Sequence, residues 1–162
     1  MRPYDYSPTN TNDDNISEFV SCNFIKDETL PCETICPADV FLTDVDGIDF
    51  RYCNFTNTFN NCIDVNYPIA IKSINATYRV EGELCEGLAE EGCEVQYSNF
   101  SGYYRAIYAA NTAARPRNIS IYGVNFTNNE RAVLFSAVTN SDITRNNFKV
   151  PDYSTKPIWT LS

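Results

Sequence analysis

Between residues 118 and 150 the chain reads NISIYGVNFTNNERAVLFSAVTNSDITRNNFKV, with apolar and polar positions alternating in short bursts broken by Gly and Asn. Ile119 and Ile121 precede the pair Asn125-Phe126, and Ile143 precedes Asn147-Phe148. Alternation with a period of two marks a strand with one buried face. The Asn-Phe pair occurs upstream as well, at Asn23-Phe24, Asn54-Phe55 and Asn99-Phe100, with Ile48 and Phe50 before Phe55 and Val95 and Tyr97 before Phe100. The gap between Phe55 and Phe100 is about two periods, and Thr77-Tyr78, preceded by Ile71-Lys72-Ser73-Ile74, fills its middle. Six aromatic anchors therefore follow one another at 31, 23, 22, 26 and 22 residues.

After the anchors stand Asp27, Asn57, Gly102, Asn128 and Asn129, residue types that accept the left-handed backbone of a sharp turn. A second apolar run then follows, as in Ile63-Asp64-Val65, Ala106-Ile107-Tyr108 and Ala132-Val133-Leu134-Phe135. Each unit reads strand, turn, strand, loop, with no helical stretch between units. Parallel strands without helical crossovers require a chain that coils so that each turn stacks on the last. The pattern predicts an all-β fold, a parallel β-helix (β-solenoid) of about five to six rungs. A Greek-key β-sandwich also offers many short strands, but gives no reason for Asn-Phe to recur in register. The boundaries expected are an extended N-terminal arm over 1–17, a Cys-rich, disulfide-tied cap over 18–40, the solenoid over 41–150 and an extended C-terminal tail over 151–162.

Phe126-Thr127-Asn128-Asn129 followed by Ala132-Val133 resembles the repeats of the right-handed parallel β-helix superfamily, and more narrowly polymorphic-membrane-protein-type surface repeats, in which Phe-x-x-Asn precedes a small and then a branched apolar residue. Phe100 with Ala106-Ile107 keeps the second half of that pattern, Phe55-Thr56-Asn57-Thr58 departs by a residue, and the Gly-Gly pair usual before the small residue is missing. The resemblance covers roughly residues 40 to 150 and implies architecture, not activity.

Composition agrees with strands: aromatic residues make up 14% of the 162 positions, and Val, Ile, Thr and Asn are abundant where Leu is scarce. The net charge of −9 argues against a nucleic-acid partner, since no Lys/Arg cluster is present to neutralise phosphates. No apolar run has the length of a membrane span, and no hydrophobic signal segment follows Met1, so a leader has been removed or the chain is a piece of something longer.

Seven cysteines, Cys22, Cys32, Cys36, Cys53, Cys62, Cys85 and Cys93, fall in the first 93 residues, and there is no histidine. Cys32 and Cys36 have the spacing of half a zinc site, but no second such pair follows, so the cysteines read as disulfide partners, with one left over. Cys85 and Cys93 close the acidic stretch EGELCEGLAEEGCE, and Cys53 and Cys62 flank a turn and could pair locally. Six N-glycosylation sequons, at Asn15, Asn54, Asn75, Asn99, Asn118 and Asn125, exceed the roughly three that chance would give. Cysteines and sequons together predict an extracellular or cell-surface glycoprotein.

Catalysis has little to draw on. Without histidine, Ser-His-Asp, Cys-His and histidine-zinc chemistry are excluded. Asp44, Asp46 and Asp49 in TDVDGID, or Asp64 near Arg105, are the remaining acidic candidates, and TDVDGID lacks the Glu that completes a calcium loop. We therefore expect no enzyme, no metal and no cofactor. The Asn before each anchor, Asn23, Asn54, Asn99, Asn125 and Asn147, faces outward by alternation and suits either a stacked amide ladder or glycan attachment at the three that lie in sequons. Two function classes follow. One is a structural subunit of a filament, surface appendage or matrix, with copies of itself or related solenoid subunits as partners, docking through uncapped ends and terminal arms. The other is an adhesin or glycan-binding module using exposed tyrosines such as Tyr103, Tyr104 and Tyr108.

Overall fold

The structure is a computed structural model that describes residues 17–26, 38–58, 67–82 and 95–149, and the backbone of 158–161. Its strands are β1 (Ser17–Val20), β2 (Asn23–Lys26), β3 (Ala38–Thr43), β4 (Asp46–Arg51), β5 (Asn54–Asn57), β6 (Ile69–Ile74), β7 (Thr77–Glu81), β8 (Ser98–Ser101), β9 (Arg105–Ala110), β10 (Asn118–Tyr122), β11 (Val124–Thr127), β12 (Arg131–Ser136), β13 (Asn140–Thr144), β14 (Asn147–Lys149) and β15 (Ile158–Leu161). They form three five-stranded sheets, ordered β1-β4-β7-β10-β13, β2-β5-β8-β11-β14 and β3-β6-β9-β12-β15. Every pairing is parallel. The chain thus visits the first, second and third sheet in rotation, and each circuit lies beside the previous one. No helix occurs among the described residues. This arrangement is compatible with a parallel β-solenoid.

Alternation decides what each strand buries. In the first sheet Phe19, Phe50, Val80, Ile121 and Ile143 pair in one inward column. In the second sheet Phe24, Phe55, Phe100, Phe126 and Phe148 pair in another, and in the third Val40, Ile71, Ile107 and Val133 do the same. The phenylalanine rings of the second sheet stack with centroids 4.4, 4.4, 5.3 and 5.1 Å apart, close to the strand spacing itself. Ala70, Ala106 and Ala132 are buried where the third sheet begins, so the small residue before the branched one serves close packing at that bend.

Corners carry the left-handed residues. Between the first and second sheets these are Ser21 (φ 52°), Tyr52 (55°), Gly123 (62°) and Arg145 (53°); between the second and third, Gly102 (82°) and Asn128 (56°); between the third and first, Asp44 (51°), Asn75 (53°) and Ala137 (54°). Each non-glycine residue in this region costs about 1–2 kcal/mol. A hydrogen bond to the next circuit offsets it: the amides of Ser21, Tyr52, Asp44 and Asn75 donate to the carbonyls of Arg51, Glu81, Ile74 and Ala110 at 2.9–3.1 Å.

Several sequence expectations change. Tyr78 is not an anchor equivalent to the phenylalanines: it lies in the first sheet, opposite Ile48 and Ile119. The five circuits seen here therefore replace six anchors. The repeat unit has three strands, because before Phe24, Phe55, Phe126 and Phe148 a left-handed residue splits what reads as one strand into two. Val95 is exposed, and the first-sheet strand before Phe100 is β7. Asn57 is not a turn residue but ends β5. Among the described residues strand pairing begins at Ser17, within the stretch read as arm and cap. Asp27 and Ile63-Asp64-Val65 lie outside the described residues, as does the stretch closed by Cys85 and Cys93.

Candidate assembly surface

The outward Asn column is an unbroken amide ladder. Asn54 Nδ2 donates to Asn23 Oδ1 at 2.9 Å, Asn99 Nδ2 to Asn54 Oδ1 at 2.8 Å, Asn125 Nδ2 to Asn99 Oδ1 at 3.0 Å and Asn147 Nδ2 to Asn125 Oδ1 at 2.9 Å. All four bonds point the same way, so the ladder is polar. Among the described residues, its first-circuit end presents the Asn23 amide donors and its fifth-circuit end the Asn147 Oδ1 acceptor. Asn99 also donates to Tyr97 O at 3.1 Å, which uses both of its amide hydrogens.

A direct test is Asn99→Asp. At neutral pH the new carboxylate faces the acceptor Asn54 Oδ1 and has no hydrogen to donate, so we expect a loss of about 1–3 kcal/mol by denaturant titration. Protonation returns a donor to that carboxyl, so the loss should shrink as pH falls towards 4. An Asn99→Asp protein of unchanged stability at pH 7 would show the ladder to be energetically idle.

The ladder also bears on glycosylation. Sequon asparagines Asn54, Asn99 and Asn125 are its inner steps, and sugars on steps one strand apart would crowd one another. Asn75 occupies a left-handed corner, where its Oδ1 accepts from the amides of Thr112 and Ala113 at 2.8 and 3.1 Å and its Nδ2 donates to Asp44 Oδ1 at 3.1 Å. Asn118 begins β10 and is exposed. Asn15 lies outside the described residues. Expressed in a glycosylating host, the protein should carry sugar at Asn118 and not at Asn54, Asn99 and Asn125 together. Site-by-site glycopeptide mass spectrometry checks this, and full occupancy of the three on a folded protein would contradict it.

Four of the exposed large apolar residues belong to the first circuit, Phe19 in an inward column and Val20, Ile25 and Phe41 on the outer faces of its strands. Phe19 is 38% exposed, Val20 49%, Ile25 69% and Phe41 59%. They come from all three sheets. Phe19 occupies an inward column and stacks on Phe50 at 5.0 Å, yet over a third of it is exposed because it ends the column. At the other end Ile143 and Phe148 are only partly buried against the core.

The sides of the molecule carry paired charges, although buried Asp49 Oδ1, Arg105 Nε and Arg117 Nε have no hydrogen-bond partner among the described residues. Outside the first sheet, Asp49 Oδ2 accepts from Arg51 Nε and Arg79 Nη2, each at 3.0 Å, with Glu18 and Glu81 completing the network. Burial lifts the Asp49 carboxyl above its ordinary range against the pull of Arg79 and Arg51, and burial together with Asp49 lifts Glu81. Asp46 pairs with Arg117 at 2.6 Å and Arg115 at 3.7 Å, and Asp44 takes the Asn75 amide. The three carboxylates of TDVDGID are therefore held by separate partners and do not converge. Asp64 lies outside the described residues. Further along this face, Arg79, Glu81, Asn118, Ser120 and Asp142 line an open cleft of about 390 Å³.

The tyrosine cluster divides. Tyr103 is buried and donates its hydroxyl to Asp39, so burial and that carboxylate push its pKa far up. Tyr104 stacks on Tyr67 at 3.9 Å, with Arg105 and Arg131 against its ring, and Arg105 also lies over Tyr108. Sequence reasoning missed the polarity of the ladder and the Asp49 network, since both depend on register between circuits.

Cys22 and Cys53 carry free thiols, the first half-buried and the second fully buried. Cys32, Cys36, Cys62, Cys85 and Cys93 lie outside the described residues. Comparison with protein-family models, with curated proteins and with solved structures gives no match to this chain.

Proposed function

We propose that the chain is a right-handed parallel β-helix that serves as a structural subunit of a glycosylated extracellular filament, surface appendage or matrix, assembling end to end. The observation that carries this reading is the pair of ladders, amide and phenyl, that among the described residues runs from Asn23 and Phe24 to Asn147 and Phe148 and has complementary groups at its two ends. An acceptor at Asn147 and a ring at Phe148 match the donors of Asn23 and the ring of Phe24 on a second copy. Such a contact is heterologous and does not close, so it propagates. The exposed Phe19, Val20, Ile25 and Phe41 supply the apolar area that stable association draws on.

Negative-stain electron microscopy over a concentration series tests it. Wild-type protein should form unbranched fibres, and Ile25→Glu with Phe41→Glu, both at exposed positions, should give single particles of native stability. Wild-type protein that stays monomeric at every concentration would sink the proposal.

Recognition is the second reading, favoured by the cleft along the first sheet, whose Arg79, Glu81, Ser120 and Asp142 suit a polar chain such as a glycan. Monomers that bind a glycan array, and lose binding on Ser120→Trp, would support it over assembly.

A further inference from the structure

Cys22 and Cys53 occupy the same corner on successive circuits. Each follows a left-handed residue, Ser21 or Tyr52, and each precedes a ladder asparagine, Asn23 or Asn54. The flanking pairs Val20 with Arg51 and Asn23 with Asn54 are in register, and Asn54 N donates to Cys22 O at 2.8 Å. The two Cα atoms are thus held at about the 4.8 Å strand spacing, inside the roughly 4.4–6.8 Å that a disulfide spans. Cys53 is buried in the core, and Cys22 packs against that same core. Cys53 Sγ points at Phe19 O at 3.2 Å and Arg51 O at 3.4 Å, and Cys22 Sγ at Val20 O at 3.6 Å. Later circuits place Ser98, Val124 and Asn146 before the ladder asparagine, so the thiol pair is confined to the first two.

We propose that Cys22 and Cys53 form an inter-circuit disulfide that staples the exposed first circuit to the second. The oxidant is a small-molecule disulfide of the glutathione class or the disulfide of a thiol oxidoreductase. The half-buried Cys22 loses its proton to solvent, its thiolate attacks one sulfur of that disulfide, and one thiolate is expelled. Cys53 then loses its proton, attacks Cys22 Sγ and expels the second thiolate. Two protein thiols are oxidised to one disulfide, the oxidant is reduced by two electrons to two thiols, and those thiolates take up the two protons. Cys22 is partly exposed whereas Cys53 is buried, so Cys22 meets the oxidant first. This pairing is an alternative to the local Cys53 to Cys62 bond suggested by spacing, whose Cys62 lies outside the described residues; the buried side chain of Cys53 occupies the same corner as that of Cys22. The loop closed from 22 to 53 contains β2 and β3, which carry Ile25 and Phe41, and its first cysteine lies two residues after the end of β1, which carries Phe19 and Val20.

The experiment is non-reducing peptide mapping by mass spectrometry on the full chain, purified reduced and then exposed to oxidised glutathione. A cross-linked peptide pair containing Cys22 and Cys53 is expected, with a thermal midpoint about 5–15 °C above the reduced protein. The same bond must form in a variant with serine at the other five cysteines, and the midpoint gain must vanish in Cys22→Ser. Cys22 or Cys53 bonded to Cys32, Cys36 or Cys62, or both remaining as thiols under oxidant, would overturn the proposal.

Discussion

Phe100→Ala should destabilise the protein by about 3–5 kcal/mol, the range for deleting a fully buried aromatic ring. The ring is inaccessible to solvent and lies between Phe55 at 4.4 Å and Phe126 at 5.3 Å, so its removal opens a void in the middle of a column that cannot collapse from either side. The spacing of the neighbouring rings is fixed by strand pairing, and the backbone hydrogen bonds of β5, β8 and β11 resist closing the gap. A loss of this size is a large share of the 5–15 kcal/mol that holds a domain folded. Phe148→Ala, at the partly buried end of the same column, should cost only about 1 kcal/mol. Chemical denaturation of the two variants measures both, and equal losses would mean that the rings do not form one continuous stack.

Gly82→Ala is the second large effect. A Cβ at Gly82 would lie 2.1 Å from Gly123 O and 2.7 Å from Gln96 O, both main-chain atoms that no side-chain rotation can move aside. Gly82 N donates to Tyr122 O at 2.8 Å, so the neighbouring circuit cannot back away without losing that bond. We expect at least the 1–3 kcal/mol of an overpacked core, about 3 kcal/mol here, read as a fall in the denaturant midpoint. Gly123→Ala is the control. Its left-handed φ of 62° is shared by Ser21, Tyr52 and Arg145 in other circuits, and a Cβ there meets Gly82 O at 3.1 Å, so about 1 kcal/mol is expected. The position that looks conformationally special thus tolerates a side chain better than the one that does not.

The second-sheet columns were legible because one strand of every circuit carries the same Asn-Phe pair, and stacking demands like over like. The third strand of the unit was not, because the corner that splits it holds Ser21, Tyr52, Gly123 and Arg145 in different circuits, so no shared residue type announces the turn. Tyr78 was misplaced for a related reason. Residues 59–66 and 83–94 both fall between Phe55 and Phe100, so one lengthened circuit has the length of two, and an aromatic near its middle looks like an anchor. The candidate surface was partly readable: the ladder was one of two options for the outward asparagines. Its direction, the placing of Cys22 and Cys53 at one corner of successive circuits and the clasp of Arg51 and Arg79 on Asp49 depend on the register of residues about 30 positions apart, which alternation alone does not set.

If the ladders continue from one copy to the next, each subunit adds five strand spacings, about 24 Å, along the fibre axis. Cryo-electron microscopy of assembled protein measures that rise directly. A helical rise near 24 Å, with Phe148 of one subunit over Phe24 of the next, is what end-to-end stacking requires. Fibres with subunits joined along their sheet faces, or with a rise unrelated to the strand spacing, would contradict it.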